Sequence, residues 1–168
     1  MNYRTFAVGA VVALAVAMTS AQTKMNLSGR CGKPDVQYSV PVLDQLGHMY
    51  TLAQGKCTAM GDVNGTTAKD GIFSEHGDVT ANQVKNWGIF VETFANGDKV
   101  TYSYQTTGTM NNGAFEAGTN KYQIVDGTGT MKGIKGSGTC KLTGNNDNLD
   151  YECTGEYSVA GGAPAKTY

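Results

Sequence analysis

Residues 139–154 read Thr-Cys-Lys-Leu-Thr-Gly-Asn-Asn-Asp-Asn-Leu-Asp-Tyr-Glu-Cys-Thr, and this stretch decides the fold class. If residues 145–148 form a four-residue turn, Cys140 faces Cys153. The flanking residues then pair with opposite charges on one face and apolar groups on the other. This alternation is typical of an antiparallel ribbon with one buried face. A slip of one residue would move every side chain to the other face, so the pattern also specifies the register.

The four cysteines predict two disulfides. All of them follow the first 21 residues, and an even count is typical of a chain that folds in an oxidising compartment. Directly opposed residues of an antiparallel pair lie within disulfide reach, which selects Cys140–Cys153. Cys31–Cys57 then follows by elimination. The alternative is a pair of buried free thiols, and neither pair has the spacing of a zinc site.

Turn signals recur every ten to fifteen residues after Ala21, while helix signals are nearly absent. This spacing predicts an all-β sandwich or barrel. The polar residues 61–70 are expected to form a loop. Eight strands are expected, at Val36–Val42, Met49–Met60, Gly71–Ala81, 84–95, 98–110, 114–126, 134–143 and 149–159.

Three of these strands are expected to form a meander. A two-residue Asn96-Gly97 turn would oppose Val91 to Tyr102, and a three-residue turn at 111–113 would oppose Tyr102 to Tyr122. The meander would then share one face, which carries Trp87, Ile89, Val91, Tyr102, Tyr104, Tyr122 and Ile124.

The two ends of the chain are assigned by composition. Arg4, the apolar run from Phe6 to Met18 and the small residues 19–21 are typical of a secretory signal peptide over 1–21. Residues 22–159 would form one β-domain, and 160–168 a disordered tail. The protein would therefore be secreted or periplasmic. No later segment is apolar enough to span a bilayer, so we expect no membrane span.

Charge and motifs argue against several partners. The whole chain has 13 basic and 14 acidic residues without a basic stripe, which makes nucleic acid a poor candidate partner. The glycine-rich residues 127–138 match neither a dinucleotide fingerprint nor a phosphate loop. His76 shares a strand face with Asp78 but not with Glu75, and His48 follows a turn, so no metal site is predicted. No cofactor is predicted either.

Glu116 is the one acid that this reasoning singles out. The preferred register places it on the face of Tyr102 and Tyr122, where burial would raise the pKa of its carboxyl and let it act as an acid or base. The alternative places Glu116 at an open strand end, solvated, and this alternative is the favoured one. Glu116 is therefore the sole catalytic candidate.

The stretch Gly-Thr-Gly-Thr-Met-Lys-Gly-Ile-Lys-Gly-Ser-Gly-Thr at 127–139 resembles the glycine signature of the allene oxide cyclase barrel-like superfamily, which includes the plant dirigent proteins. Residues 40–42, 47–48, 54–57 and 96–99 resemble bacterial secreted members of that group. The resemblance covers residues 36–158 and implies an eight-stranded antiparallel barrel with a central cavity. Enzymatic members isomerise or guide reactive hydrophobic intermediates there. No match to their catalytic positions is found, so no catalytic residue is transferred.

Three functions follow as hypotheses. In the first, the shared aromatic face lines the barrel and binds a small hydrophobic molecule without catalysis through Trp87, Tyr102, Tyr104 and Tyr122. In the second, the protein is a cofactor-free isomerase or cyclase. In the third, it is an extracellular structural or adhesion module with a filled interior. Binding without catalysis is the favoured hypothesis.

Overall fold

The structure is a computed structural model and describes residues 22–111 and 113–160. The predicted signal peptide at 1–21, Asn112 of a predicted turn and residues 161–168 of the predicted tail lie outside the described residues. In the described part, no helix is long and apolar enough to cross a membrane.

Ten strands form one antiparallel sheet that closes on itself. The closed ring runs β3-β1-β10-β9-β8-β7-β6-β5, and β5 pairs back to β3. The ring confirms the predicted eight-stranded antiparallel barrel. Closure gives each ring strand a hydrogen-bonded neighbour on both sides, which is the usual way an all-β domain protects its backbone edges. The strands are β1 Thr23–Gly32, β2 Val36–Pro41, β3 Met49–Met60, β4 Asp62–Val63, β5 Thr66–Val79, β6 Gln83–Phe94, β7 Lys99–Asn111, β8 Ala114–Gly127, β9 Lys135–Gly144 and β10 Asn148–Ser158.

The β9–β10 hairpin has the predicted register. Cys140 opposes Cys153, and the flanking pairs follow in step along the ribbon. Both disulfides are confirmed, with Cys140–Cys153 joining the hairpin and Cys31–Cys57 joining β1 to β3. Cys31 directly opposes Cys57 in the sheet, so each bridge links a directly opposed antiparallel pair.

Two strand assignments from the sequence are wrong. The first ring strand is β1, which is not among the eight expected strands; the expected strand at Val36–Val42 exists as β2 but lies outside the ring and adds to the edge of β3. Residues 61–70 are also not a loop. Val63 is fully buried in β4, a tight turn at Asn64-Gly65 with positive φ at both residues follows, and β5 begins at Thr66.

The β6–β7 register differs from the prediction by one residue. The connection is a three-residue turn, closed by a 2.9 Å hydrogen bond from the Phe94 amide to the Asp98 carbonyl, with Gly97 in the left-handed region. Phe90 therefore opposes Tyr102, and Val91 does not. This odd shift turns Trp87, Ile89 and Val91 to the outer surface, so their assignment to the inner face is wrong.

The β7–β8 register differs from the prediction by two residues, and the predicted faces of both strands are retained. Tyr104 opposes Tyr122, and Tyr102 opposes Ile124. Because side chains alternate with a period of two, an even shift keeps the same residues on the same face. Tyr102, Tyr122 and Ile124 are buried as predicted.

The apolar core fills one end of the barrel only. Apolar side chains buried almost completely come from the start of β1, from β4, from the end of β6, from the start of β7, and from the short 3₁₀ turn Gly129–Met131 and the segment between it and β9. These side chains are Met25, Val63, Phe94, Val100, Met131 and Ile134. The opposite end, where β3, β8 and β10 begin, is not filled in this way.

Candidate functional site

A cavity of about 420 Å³ occupies the barrel between the packed end and the opposite rim. Its rim includes Gln37, Ser39, Asn145 and Asn146, all of them exposed, so the cavity opens to solvent at that end. Its volume falls within the range of small-molecule sites, about 300–1,000 Å³. The wall is rich in aromatic rings, contributed by Phe73, Phe90, Tyr102, Tyr104, Phe115, Tyr122 and Tyr151.

Glycines on neighbouring strands make room for these rings. A Cβ added at Gly88 would lie 2.6 Å from Cζ of Tyr104 and 2.7 Å from the Ser74 carbonyl oxygen. A Cβ at Gly138 or at Gly155 would meet the hydroxyl of Tyr122. The rings thus lie against the sheet over residues without side chains, which keeps the middle of the barrel open.

Glu92 is the most deeply placed polar group of the cavity wall. It is 1% exposed, on the inner face of β6, and accepts a 2.6 Å hydrogen bond from the Tyr102 hydroxyl at Oε2. Burial raises the pKa of Glu92 to about 7, against a smaller lowering by the Tyr102 hydrogen bond. Burial and then the nearby Glu92 charge raise the pKa of Tyr102 well above its ordinary value.

Glu75 forms a second carboxyl–tyrosine pair nearer the rim. It accepts hydrogen bonds from the Tyr104 hydroxyl at 2.7 Å and from Asn86 Nδ2 at 2.8 Å. Burial raises the pKa of Glu75, while the two hydrogen bonds act in the opposite direction. The cavity therefore holds two carboxyls, each bonded to a tyrosine on β7.

Three buried oxygens of the cavity wall have no hydrogen-bond partner among the described residues. They are Oδ1 of Asn86, Oε1 of Glu92 and Oδ1 of Asn120, and all three can act as acceptors. Asn86 and Asn120 both oppose Thr106, so they lie in one row across β6, β7 and β8. No lysine, arginine or histidine is among the cavity-lining residues of the described chain.

Three of the four predicted ligand-binding residues line the cavity: Tyr102, Tyr104 and Tyr122. Trp87 does not. It lies on the outer face, stacked on His76 with ring centroids 5.6 Å apart, and the odd register shift is the reason. Whether the three tyrosines bind a ligand stays a prediction.

Glu116 is exposed, which matches the solvated alternative. Residues 109 and 110 of β7 pair with 117 and 115 of β8, so Glu116 is the extra residue of a bulge. It is not among the residues that line the cavity.

Sequence reasoning missed Glu92 and Glu75 as site residues. The two-residue turn expected at Asn96-Gly97 places Val91 on the inner face and therefore its neighbour Glu92 on the outer face, whereas the three-residue turn, which Gly97 equally allows, reverses the two faces. Strand alternation correctly predicts that Glu75 points away from His76. It does not indicate that the Glu75 side of β5 faces a cavity.

The two histidines do not come together. His76 is exposed in the outer aromatic stack, and His48 donates to Asp44 at 2.6 Å and to Asp78 at 2.8 Å. The bond to Asp44, and then the bond to Asp78, raise the pKa of His48. His48 thereby ties the turn between β2 and β3 to the end of β5, which is a structural role.

No family model matches the chain, and no curated protein matches it. The solved structures that are similar to it include the pterocarpan synthase dirigent proteins GePTS1 and PsPTS1. The first is 11% identical over 92% of this chain and 99% of the other, with a TM-score of 0.46. The second is 12% identical over 84% of this chain and 99% of the other, with a TM-score of 0.44. At these values the similarity carries no argument about function.

Proposed function

We propose that this protein binds a small, largely apolar molecule inside its barrel without transforming it. The observation that carries the proposal is the cavity of about 420 Å³, packed shut at one end, open at the other and walled by aromatic rings. Tyr102, Tyr104 and Tyr122 offer apolar area, and their hydroxyls add polar groups at defined places.

The proposal places the protein outside the cytoplasm, secreted or periplasmic. Its support is the pair of disulfides, Cys31–Cys57 and Cys140–Cys153, because such bridges persist in oxidising compartments. Ligand capture in that compartment needs neither a metal nor a cofactor.

The test is occupancy of the cavity. Native mass spectrometry of the protein purified from its own medium should show a mass above that of the chain, which is lost on denaturation. Asn120→Trp places an indole in the cavity and should abolish that mass. Thr119→Trp, one residue away on the outer face, is the matched control and should retain it. If both variants show the same extra mass, the molecule lies outside the cavity and the proposal is wrong.

A second candidate is a cofactor-free isomerase or cyclase, and Glu92 is the observation that favours it. A carboxyl inside an apolar cavity with a pKa of about 7 has the property required of a general acid or base near neutral pH. Turnover of unsaturated fatty-acid epoxides or phenolic radicals that Glu92→Gln abolishes and Glu116→Gln preserves would establish catalysis and replace the binding-only proposal.

The third hypothesis, a structural or adhesion module, expected a filled interior. The cavity contradicts that expectation.

A further inference from the structure

The cavity wall has unpaired hydrogen-bond acceptors and no matching donors among the described residues. Glu75 and Glu92 accept the hydroxyl protons of Tyr104 and Tyr102, so these hydroxyls are used as donors inside the wall. Oxygens of Glu92, Asn86 and Asn120 remain without a donor among the described residues. A buried acceptor left unpaired destabilises the protein, and more so when it is charged. A bound molecule that brings donors would recover that energy.

The charges of the cavity are unbalanced as well. Two carboxyls line it, while no basic side chain of the described residues does. A ligand with a carboxylate or phosphate would bring a third negative group next to Glu92 in a site of low dielectric, where like charges repel strongly. Anionic ligands are therefore disfavoured at this depth of the barrel.

Aromatic rings surround the deepest acceptor. Tyr102 donates to Glu92, and Phe90 lies 6.2 Å from Tyr102 and 6.2 Å from Tyr151 between ring centroids. Tyr122 packs edge-on to Tyr102 at 5.6 Å. Aromatic faces attract cations through the ring quadrupole, and more strongly where water is excluded.

We propose that the molecule bound by this barrel is a protonated amine with an apolar body, and that its ammonium group lies at Glu92. This rests on the proposed binding function and names its ligand class. The ammonium donates to Oε1 of Glu92, while the apolar body extends along the rings toward the rim. Asn86 and Asn120, in the row nearer the rim, accept from any further hydroxyl or amide of the ligand. An alcohol supplies one donor and no charge, so it satisfies the site less completely than an amine.

The experiment compares three molecules that share one body and differ only in the polar group: phenylbutylamine, phenylbutanol and phenylbutyrate. Isothermal titration calorimetry at about pH 8 keeps the amine charged and Glu92 mostly ionised. We expect the amine to bind at least about tenfold more tightly than the alcohol, and the carboxylate more weakly than both. Glu92→Gln should reduce amine affinity about tenfold and leave the alcohol within about twofold.

Controls separate this inference from the proposed function. Glu116→Gln, exposed on β8, should change none of the three affinities, and Glu75→Gln provides a second cavity variant if Glu92→Gln does not fold. An alcohol that binds as tightly as the amine would overturn the amine inference and leave cavity binding intact. Equal loss of amine and alcohol affinity in Glu92→Gln would overturn it as well. If none of the three molecules binds to the folded protein, the amine inference fails, and the native mass spectra of the wild type and Asn120→Trp decide the proposed function separately.

Discussion

Replacing Glu92 by glutamine should change how stability depends on pH. Burial raises the pKa of this carboxyl from its ordinary 4.5 to about 7. Between those values the folded protein keeps a proton that the unfolded chain has released. The stability contribution is therefore complete below about pH 4.5 and is lost as the pH rises through about 7. With about 1.4 kcal/mol for each pKa unit, the loss from this group is about 3 kcal/mol.

Glutamine keeps the size of the side chain and an acceptor for Tyr102, but it does not titrate. From about pH 4.5 to about pH 8 the free energy of unfolding of the wild type should therefore fall by about 3 kcal/mol more than that of Glu92→Gln. Glu75, whose pKa is also raised by burial, is present in both proteins, so its contribution cancels in the comparison.

Urea denaturation with both disulfides intact measures the difference, followed by the fluorescence of Trp87, the single tryptophan of the chain. The slope against urea should be the same for both proteins, which shows that the same surface is exposed. Glu116→Gln, exposed on β8, should follow the wild type at every pH. Wild-type and Glu92→Gln curves that stay parallel within about 0.5 kcal/mol across this range would refute a buried, proton-binding Glu92.

Three further outcomes can be measured. Replacing Cys140 and Cys153 together by serine should lower the free energy of unfolding by up to about 3 kcal/mol in urea titrations, because the bridge closes a short loop of the unfolded chain; an unchanged midpoint would contradict this. Gly88→Ala should destabilise by about 1–3 kcal/mol in the same assay, since its Cβ would overlap a tyrosine ring. Gly32→Ala, with open space at that position, is its control and should stay within about 0.5 kcal/mol. His48→Ala should speed amide exchange in residues 43–48 at about pH 6, where the raised pKa keeps the wild-type ring charged between its two carboxylates. In strong base the wild-type ring is neutral, so the difference in exchange rate between the two proteins should shrink. A rate difference independent of pH would contradict the ion pairs.

Most of the closed ring could be predicted because its strands show the period-two pattern in their own residues. β9 and β10 were placed with their register, since an error of one residue would have exposed Leu142 and Tyr151 and buried Lys141 and Glu152. The pairing of Cys140 with Cys153 followed from that register. β1 was not found, because its alternation is interrupted by Gly29 and its burial depends on partners far away in the chain, β3 and β10.

The inside and outside of β6 could not be predicted from the strand itself. Trp87, Ile89 and Val91 are as apolar as the inward residues Val84, Phe90 and Phe94, so alternation gives no preference for either face. The length of the β6–β7 turn decided which face of β6 points inward, and Asn96-Gly97 is compatible with a turn of either two or three residues. The error in the β7–β8 register was two residues rather than one, but it left the tyrosines of both strands on their predicted face, because the shift was an even number of residues.

By itself, then, the sequence determined the all-β class, the two disulfides, the β9–β10 register and the inward direction of Tyr102, Tyr104 and Tyr122. All of these except Cys31–Cys57 depend on local alternation or on residues that face one another across a short turn; Cys31–Cys57 followed by elimination once Cys140 was paired with Cys153. The tertiary structure alone decided that β1 closes the ring, that β2 stays outside it, and that Glu92 and Glu75 face the cavity. The burial of a carboxyl is set by strands brought together from distant parts of the chain, and so is the pKa that follows from it.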